Sequence, residues 1–154
     1  ANLRGLVAAE NTLSIGAADL DNTDGSLQAL RGALGLDLGG ELANRRGLVL
    51  AGGELHAGAG SLDNSGTLYA GGNAFVVVQG EVANSTFIGA NGSLNLTAGR
   101  LASAAASLLG AGIRSDGSLA ASGDLNVAAD GTLVATQIRG ITLNNALYMP
   151  AVRR

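Results

Sequence analysis

Apolar residues recur along this chain at steps of six to eight: Leu6, Leu13, Leu20, Leu27, Leu34, Leu42, Leu48, Leu55, Leu62, Leu68, Phe75, Val82, Ile88, Leu94 and Leu101. Between them, phrases such as Gly25-Ser26-Leu27-Gln28-Ala29, Gly66-Thr67-Leu68-Tyr69-Ala70 and Gly92-Ser93-Leu94-Asn95-Leu96 alternate small or polar residues with apolar ones. That alternation is the mark of half-buried strands. A leucine at every seventh position also invites a coiled coil, which needs a second apolar position per heptad and long helix-favouring runs. The chain has 25 glycines in 154 residues, and each costs about 1 kcal/mol in a helix interior. The helical reading is therefore set aside.

A longer period lies over this pattern. Ala1–Asn22 aligns on Ala43–Asn64 at an offset of 42 without a gap, with 13 of 22 positions identical. Inside it a shorter phrase returns as Leu20-Asp21-Asn22, Leu42-Ala43-Asn44, Leu62-Asp63-Asn64 and Val82-Ala83-Asn84, with Ala1-Asn2 as a truncated copy. Leu101-Ala102-Ser103 and Leu143-Asn144-Asn145 continue it less regularly. Units of such a chain bury their apolar faces only by stacking on neighbours. The expected fold is all-β: a solenoid of about seven coils of roughly 20 residues, with three apolar residues of each coil turned to the axis.

Corners are assigned to Asp24-Gly25, Asn91-Gly92, Asp116-Gly117 and Asp130-Gly131, with glycine expected to take the positive φ. In a hairpin each pair would reverse the chain; a coil needs it only to bend. Stacked coils lie about 4.8 Å apart, so seven make a rod of about 34 Å. Asn2, Asn22, Asn44, Asn64 and Asn84 then form a ladder of side-chain amides, each donating to one neighbour and accepting from the other. Asp21, Ala43, Asp63 and Ala83 share one rung position, so like charges fall on alternate coils, about 9.6 Å apart, where repulsion is weaker and better screened. Arg4 and Arg46 are also two coils apart, as are Glu41 and Glu81 with Ser61 between them, although Asp19 beside Glu41 breaks that pattern.

Composition narrows the function. The chain is 47% apolar but 3% aromatic, which suits a thin aliphatic column, and all nine basic residues are Arg. Net charge is −3, which offers no electrostatic footprint for nucleic acid, and Arg45-Arg46 and Arg153-Arg154 read as solvated corners. No apolar run is long enough to cross a bilayer as a helix, and no signal peptide is visible. Absence of Cys removes disulfide and zinc frameworks. Because the chain opens inside a repeat phrase and shows no capping unit, it is expected to be a segment of a longer solenoid.

Segments Gly60-Ser61-Leu62-Asp63-Asn64-Ser65-Gly66-Thr67-Leu68-Tyr69-Ala70-Gly71-Gly72 and Leu94-Asn95-Leu96-Thr97-Ala98-Gly99-Arg100-Leu101 resemble the haemagglutinin repeats of filamentous haemagglutinin-like exoproteins. The resemblance covers residues 1–103 well, and Leu108–Leu119 resembles a further phrase of that family. It implies a right-handed parallel β-helix that forms the shaft of a large bacterial surface protein, exported by a dedicated outer-membrane transporter. Family members act as adhesins towards host cells or as contact-dependent growth-inhibition effectors with a C-terminal toxin. The expected role is structural: a secreted, cell-surface shaft that holds adhesive or toxin-delivery parts away from the cell. Contacts local in sequence would let each emerging coil template on the one before it during export.

The domain reading is regular coils over 1–103 and a continuing β-helix over 104–154, with a bulge or insertion near 104–116. That irregularity, with the exposed Phe and Tyr positions, is where the alternative function would sit, a receptor- or host-cell-binding part of the shaft. A more remote alternative is a β-helix polysaccharide-degrading enzyme. Glu41 and Glu81 would then lie near the upper limit for an inverting carboxylate pair, but any two residues in register two coils apart acquire that spacing. Little aromatic surface exists to stack sugars and no long loop to wall a cleft. His56 follows the inward Leu55 and should point outward, without a second His or a Cys to make a triad or metal site. Gly52-Gly53 and Gly71-Gly72 lack the Gly and Asp of calcium-binding nonapeptides. Thr67, Thr97, Thr132, Thr136 and Thr142 do not share one register, as an ice-binding face would require. No catalytic, cofactor or metal residue is assigned.

Overall fold

A computed structural model describes residues 1–120 and 122–129, and the backbone of the strands Leu133–Val134, Ile138–Arg139 and Thr142–Asn144. The Asp130-Gly131 turn, Asn145 and Arg153-Arg154 lie outside the described residues. The chain folds as a parallel β-solenoid of about five turns, with no helix among the described residues.

The strands fall on three faces. The first face stacks Leu6–Ala9, Ser26–Ala29, Leu48–Ala51, Thr67–Ala70, Phe87–Ala90, Leu108–Ala111 and Ile138–Arg139 in that order. The second stacks Leu13–Ala17, Leu34–Leu38, Leu55–Ala59, Ala74–Asn84, Leu94–Ser103, Asp124–Ala129 and Thr142–Asn144. The third begins with Leu20–Asp21, Glu41–Asn44 and Ser61–Asn64. It continues in the C-terminal parts of the two longest strands, where Val82 pairs with Leu62 and Leu101 with Val82. All of these pairings are parallel, and a bulge between Val78 and Glu81 lets one continuous strand turn from the second face to the third.

Strand alternation then decides what the axis contains. In one coil Leu62, Leu68, Ala70, Ala74, Val76 and Val78 are buried, and in the next Val82, Ile88, Ala90, Leu94, Leu96 and Ala98. Equivalent residues stack in columns, of which Ala29, Ala51, Ala70, Ala90 and Ala111 keep one residue type throughout. Each fully buried Leu or Ile contributes about 1.5–3 kcal/mol. The core is a column of such layers with no wider centre.

Two of the expected inward leucines lie on the opposite side of their strand. Leu27 pairs with Val7 and Val49, so Val7 and Val49 hold the axial register. Leu6 and Leu48 pair with Ser26 and face outward, Leu6 being 66% exposed. Phe75 is outward as well, its axial position being held by Ala74 and Val76. Side chains alternate with a period of two, so picking the larger of two adjacent apolar residues slips the phase by one. The expected three axial residues per coil are accompanied by smaller ones, mostly Ala, at the remaining inward positions.

Candidate functional site

The most ordered chemical feature of the solenoid is a column of amides. Asn22, Asn44 and Asn64 are completely buried and Asn84 nearly so, the last three ending third-face strands and Asn22 directly following Leu20–Asp21. Each Nδ2 donates to the Oδ1 one coil on: Asn2 to Asn22 at 2.7 Å, Asn22 to Asn44 and Asn44 to Asn64 at 2.8 Å, and Asn64 to Asn84 at 2.9 Å. The second N–H of each amide donates to the carbonyl that opens the next coil's first-face strand: Ser26, Leu48, Thr67 and Phe87. A single Asn side chain thus ties its own coil to two points of the following one. Because every amide donates in the same direction, the ladder is polar and reads one way along the rod.

The ladder weakens at its sixth rung. Ser103 occupies the next rung, and Asn84 Nδ2 lies 3.4 Å both from its hydroxyl and from the Leu108 carbonyl. The Ser107 hydroxyl lies 3.1 Å from that of Ser103 and donates to the Ala104 carbonyl at 2.7 Å, so a four-residue turn replaces the shorter ones. No buried side-chain nitrogen or oxygen among the described residues lacks a partner.

The turns that follow the Asn rungs place charge. Arg4, Asp24 and Arg46 adopt left-handed backbone, with φ of 55, 54 and 52°. Asp24, and not Gly25, therefore takes the positive φ. Glycine is needed at 25 for space: a Cβ there would strike the Asn2 carbonyl and the Asn22 side-chain oxygen. Between Arg4 and Arg46, the two arginines expected two coils apart, sits Asp24, whose carboxylate accepts from both Nε and Nη2 of Arg46 at 2.8 Å. The hydrogen bond from Arg46, ahead of its charge, holds the Asp24 carboxyl below its ordinary value.

One residue before the Asn ladder, on the outer side, Asp21, Ala43, Asp63 and Ala83 are in register, followed by Ala102. Arg45 fills the uncharged rung from above, donating to Asp63 at 2.7 Å and to Glu41 at 3.2 Å. The Asp63 hydrogen bond strengthens the hold of Arg45 on its proton. Asp21 is held low by the hydroxyl and amide of Thr23. Glu81 pairs with Arg100 at 3.3 Å. The two glutamates considered for catalysis are therefore each engaged by an arginine on an exposed face.

On the second face His56 points outward, as expected, and its ring stacks on Phe75 at 4.9 Å with a 13° interplanar angle. Its Nε2 lies 3.3 Å from Glu54. Two coils further on, Asn126 donates to Asn95 at 2.9 Å. No group of three or more His, Cys, Asp or Glu able to hold a metal occurs among the described residues.

The first face carries an external hairpin. Between Leu108–Ala111 and Asp124–Ala129 the register offset grows to 31, as Asn95 pairs with Asn126. The added residues fold back at Gly117, φ 82°, with an antiparallel bridge between Ile113 and Leu119. Ile113 is fully buried against the outside of the coil, and Tyr69 donates to its carbonyl at 3.1 Å. Gly89 and Gly110 stand in register with Tyr69, and a Cβ at Gly89 would strike the Phe87 ring and the Ile113 Cδ1 methyl. Burial raises the Tyr69 pKa. The hairpin tip presents Arg114, Ser115, Asp116 and Ser118, with Asp116 held below its ordinary value by Ser118.

Neither the Tyr69–Ile113 contact nor the Arg45 bridge was read from the sequence; the consecutive register glycines 89 and 110 were the available signal for the first. The arrangement as a whole presents side chains at fixed intervals, one coil to the next. No protein family, curated protein or solved structure matches the chain.

Proposed function

We propose that this chain is a shaft segment of a large secreted bacterial surface exoprotein of the filamentous haemagglutinin type, holding adhesive or toxin-delivery parts away from the cell. The observation that carries this reading is the uninterrupted polar column of Asn2, Asn22, Asn44, Asn64 and Asn84, which couples each coil to the next in one direction. Such a column lends stiffness along the rod and suits one-way growth of coils as the chain emerges from an outer-membrane transporter. The coils are taken as seven, since the first face runs through seven strands. They are taken as right-handed, as about 98% of crossovers between parallel strands of one sheet are. In this reading the segment is not an enzyme, and the engagement of Glu41 and Glu81 by Arg45 and Arg100 supports that.

The hairpin that packs Ile113 on Tyr69 favours a second role, contact with a receptor on a target bacterium or host cell, because it is the feature that distinguishes one stretch of an otherwise regular surface. Antibodies against this segment, applied to intact producing cells with and without the cognate transporter gene, test the shaft reading. Surface labelling that disappears with the transporter supports it; labelling only after cell lysis contradicts it.

A further inference from the structure

At the N-terminal end of the solenoid the first coil is an edge on all three faces: Leu6–Ala9 and Leu13–Ala17 end their sheets, and Leu20–Asp21 pairs only with Glu41–Asn44. Its axial residues are uncovered, Val7 being 38% exposed where Val49, two coils on, has no exposed surface. The side-chain ladder is open there as well. Asn2 donates both Nδ2 protons into the second coil, and among the described residues nothing donates to its Oδ1. Arg4 has no carboxylate within ion-pair distance, since Asp24 beside it is taken by Arg46. The amides of Leu6, Glu10 and Asn11 and the carbonyls of Ala1, Leu3 and Thr12 are likewise without a backbone partner among the described residues.

The offset of 42 shows what meets such groups. Residues 1–22 align on 43–64, and in that second copy each of these open positions is filled by the coil of residues 22–42. Asn22 Nδ2 donates to Asn44 Oδ1 at 2.8 Å, and Asp24 accepts from both Nε and Nη2 of Arg46. The amides of Leu48, Gly52 and Gly53 donate to the carbonyls of Gly25, Ala29 and Gly32, and the carbonyls of Ala43, Arg45 and Glu54 accept from Asn22, Asp24 and Leu34. Gly5 keeps the space that at Gly47 admits the Asn22 carbonyl and amide. We propose that this edge receives one further coil of the same kind, parallel and joined ahead of Ala1, which sets an asparagine amide on Asn2 and an acidic turn residue on Arg4. Main-chain hydrogen bonds give such strand addition its affinity, and the two side chains fix its register. A second copy set edge to edge brings the same acceptor and the same arginine from both sides, so it supplies neither donor nor carboxylate. The inference deepens the shaft reading, on which its place in a longer rod rests, but its test reads docking alone and is independent of secretion.

The test joins a copy of residues 22–42 ahead of Ala1 of the whole chain and follows backbone amide exchange. Exchange at Leu6, Glu10 and Asn11 should slow by about tenfold or more, while Leu68 and Val76 stay slow throughout and report that the coils are folded. Asn22→Ala in the joined copy should abolish most of the slowing. Asp24→Arg in that copy, which sets arginine on Arg4, should weaken it less, because exposed ion pairs contribute little. The same segment added as a free peptide at equal concentration should leave the edge exchanging fast, as should the unextended chain at high concentration. Unchanged exchange with the joined coil, equal slowing by a shuffled segment of the same composition, equal slowing by the free peptide, or slowing of the unextended chain with concentration overturns the proposal.

Discussion

The Nδ2 of Asn44 lies 2.8 Å from the Oδ1 of Asn64, and neither side chain has any exposed surface. An amide so placed cannot fall back on water. Replacing Asn44 by Ala leaves one N–H of the Asn22 amide without an acceptor and the Asn64 oxygen without its donor. The expected cost is about 2–4 kcal/mol, read as a lower urea midpoint. Asn2→Ala, at a part-exposed rung, should cost about 1 kcal/mol or less. Asn64→Asp should be worse than Asn64→Ala, because a carboxylate facing Asn84 Oδ1 sets acceptor against acceptor.

Glycine substitutions separate space from conformation. At Gly47 a Cβ would meet the Asn22 carbonyl and the Asn44 side-chain oxygen, so Gly47→Ala should disrupt the ladder although its φ is ordinary. At Gly58 the nearest atom is 3.7 Å away, and Gly58→Ala should be neutral or slightly stabilising. Thermal unfolding of the pair checks this; equal losses at both sites contradict it.

The hairpin should detach before the coils unfold. Tyr69→Phe removes the bond to the Ile113 carbonyl and should cost about 1 kcal/mol, while Ile113→Ala should cost about 2–4 kcal/mol. Hydrogen exchange should then rise at Arg114, Gly117 and Ala120, whose amides bond within the hairpin or to its base, and stay slow at Leu68 and Ile88.

The pH profile should have two edges. Asp21, Asp24 and Asp116 are held below the ordinary value of 3.8, so the folded state sheds their protons more readily than the unfolded chain. Their contribution is present above that value and is lost as pH falls through the lower folded values. Tyr69 is held above its ordinary value of 10.0, so the unfolded chain ionises first and stability falls as pH rises past 10.0. Tyr69→Phe should remove the alkaline edge and leave the acid one.

What could be read from the sequence was whatever repeats. The Asn phrase returned often enough to predict a ladder, and the structure joins those side chains rung by rung. Phase was harder: Leu6-Val7 and Leu48-Val49 each offer two apolar residues, and only pairing with Leu27 decides which faces the axis. At Asp24-Gly25 the sequence carries two residues able to take a left-handed φ, and the choice fell to Asp24 because glycine was needed where the coils touch. The Tyr69–Ile113 contact joins residues 44 apart across an irregular stretch, so no period announced it.

Side-chain amide hydrogen exchange tests the ladder most directly. With the asparagines labelled with ¹⁵N and resolved individually, the Nδ2 protons of Asn22, Asn44 and Asn64 should exchange as slowly as the backbone amides of Leu68 and Val76, and those of Asn2 much faster. Fast, uniform exchange at all five asparagines in a folded chain would show that no continuous amide column binds these coils together.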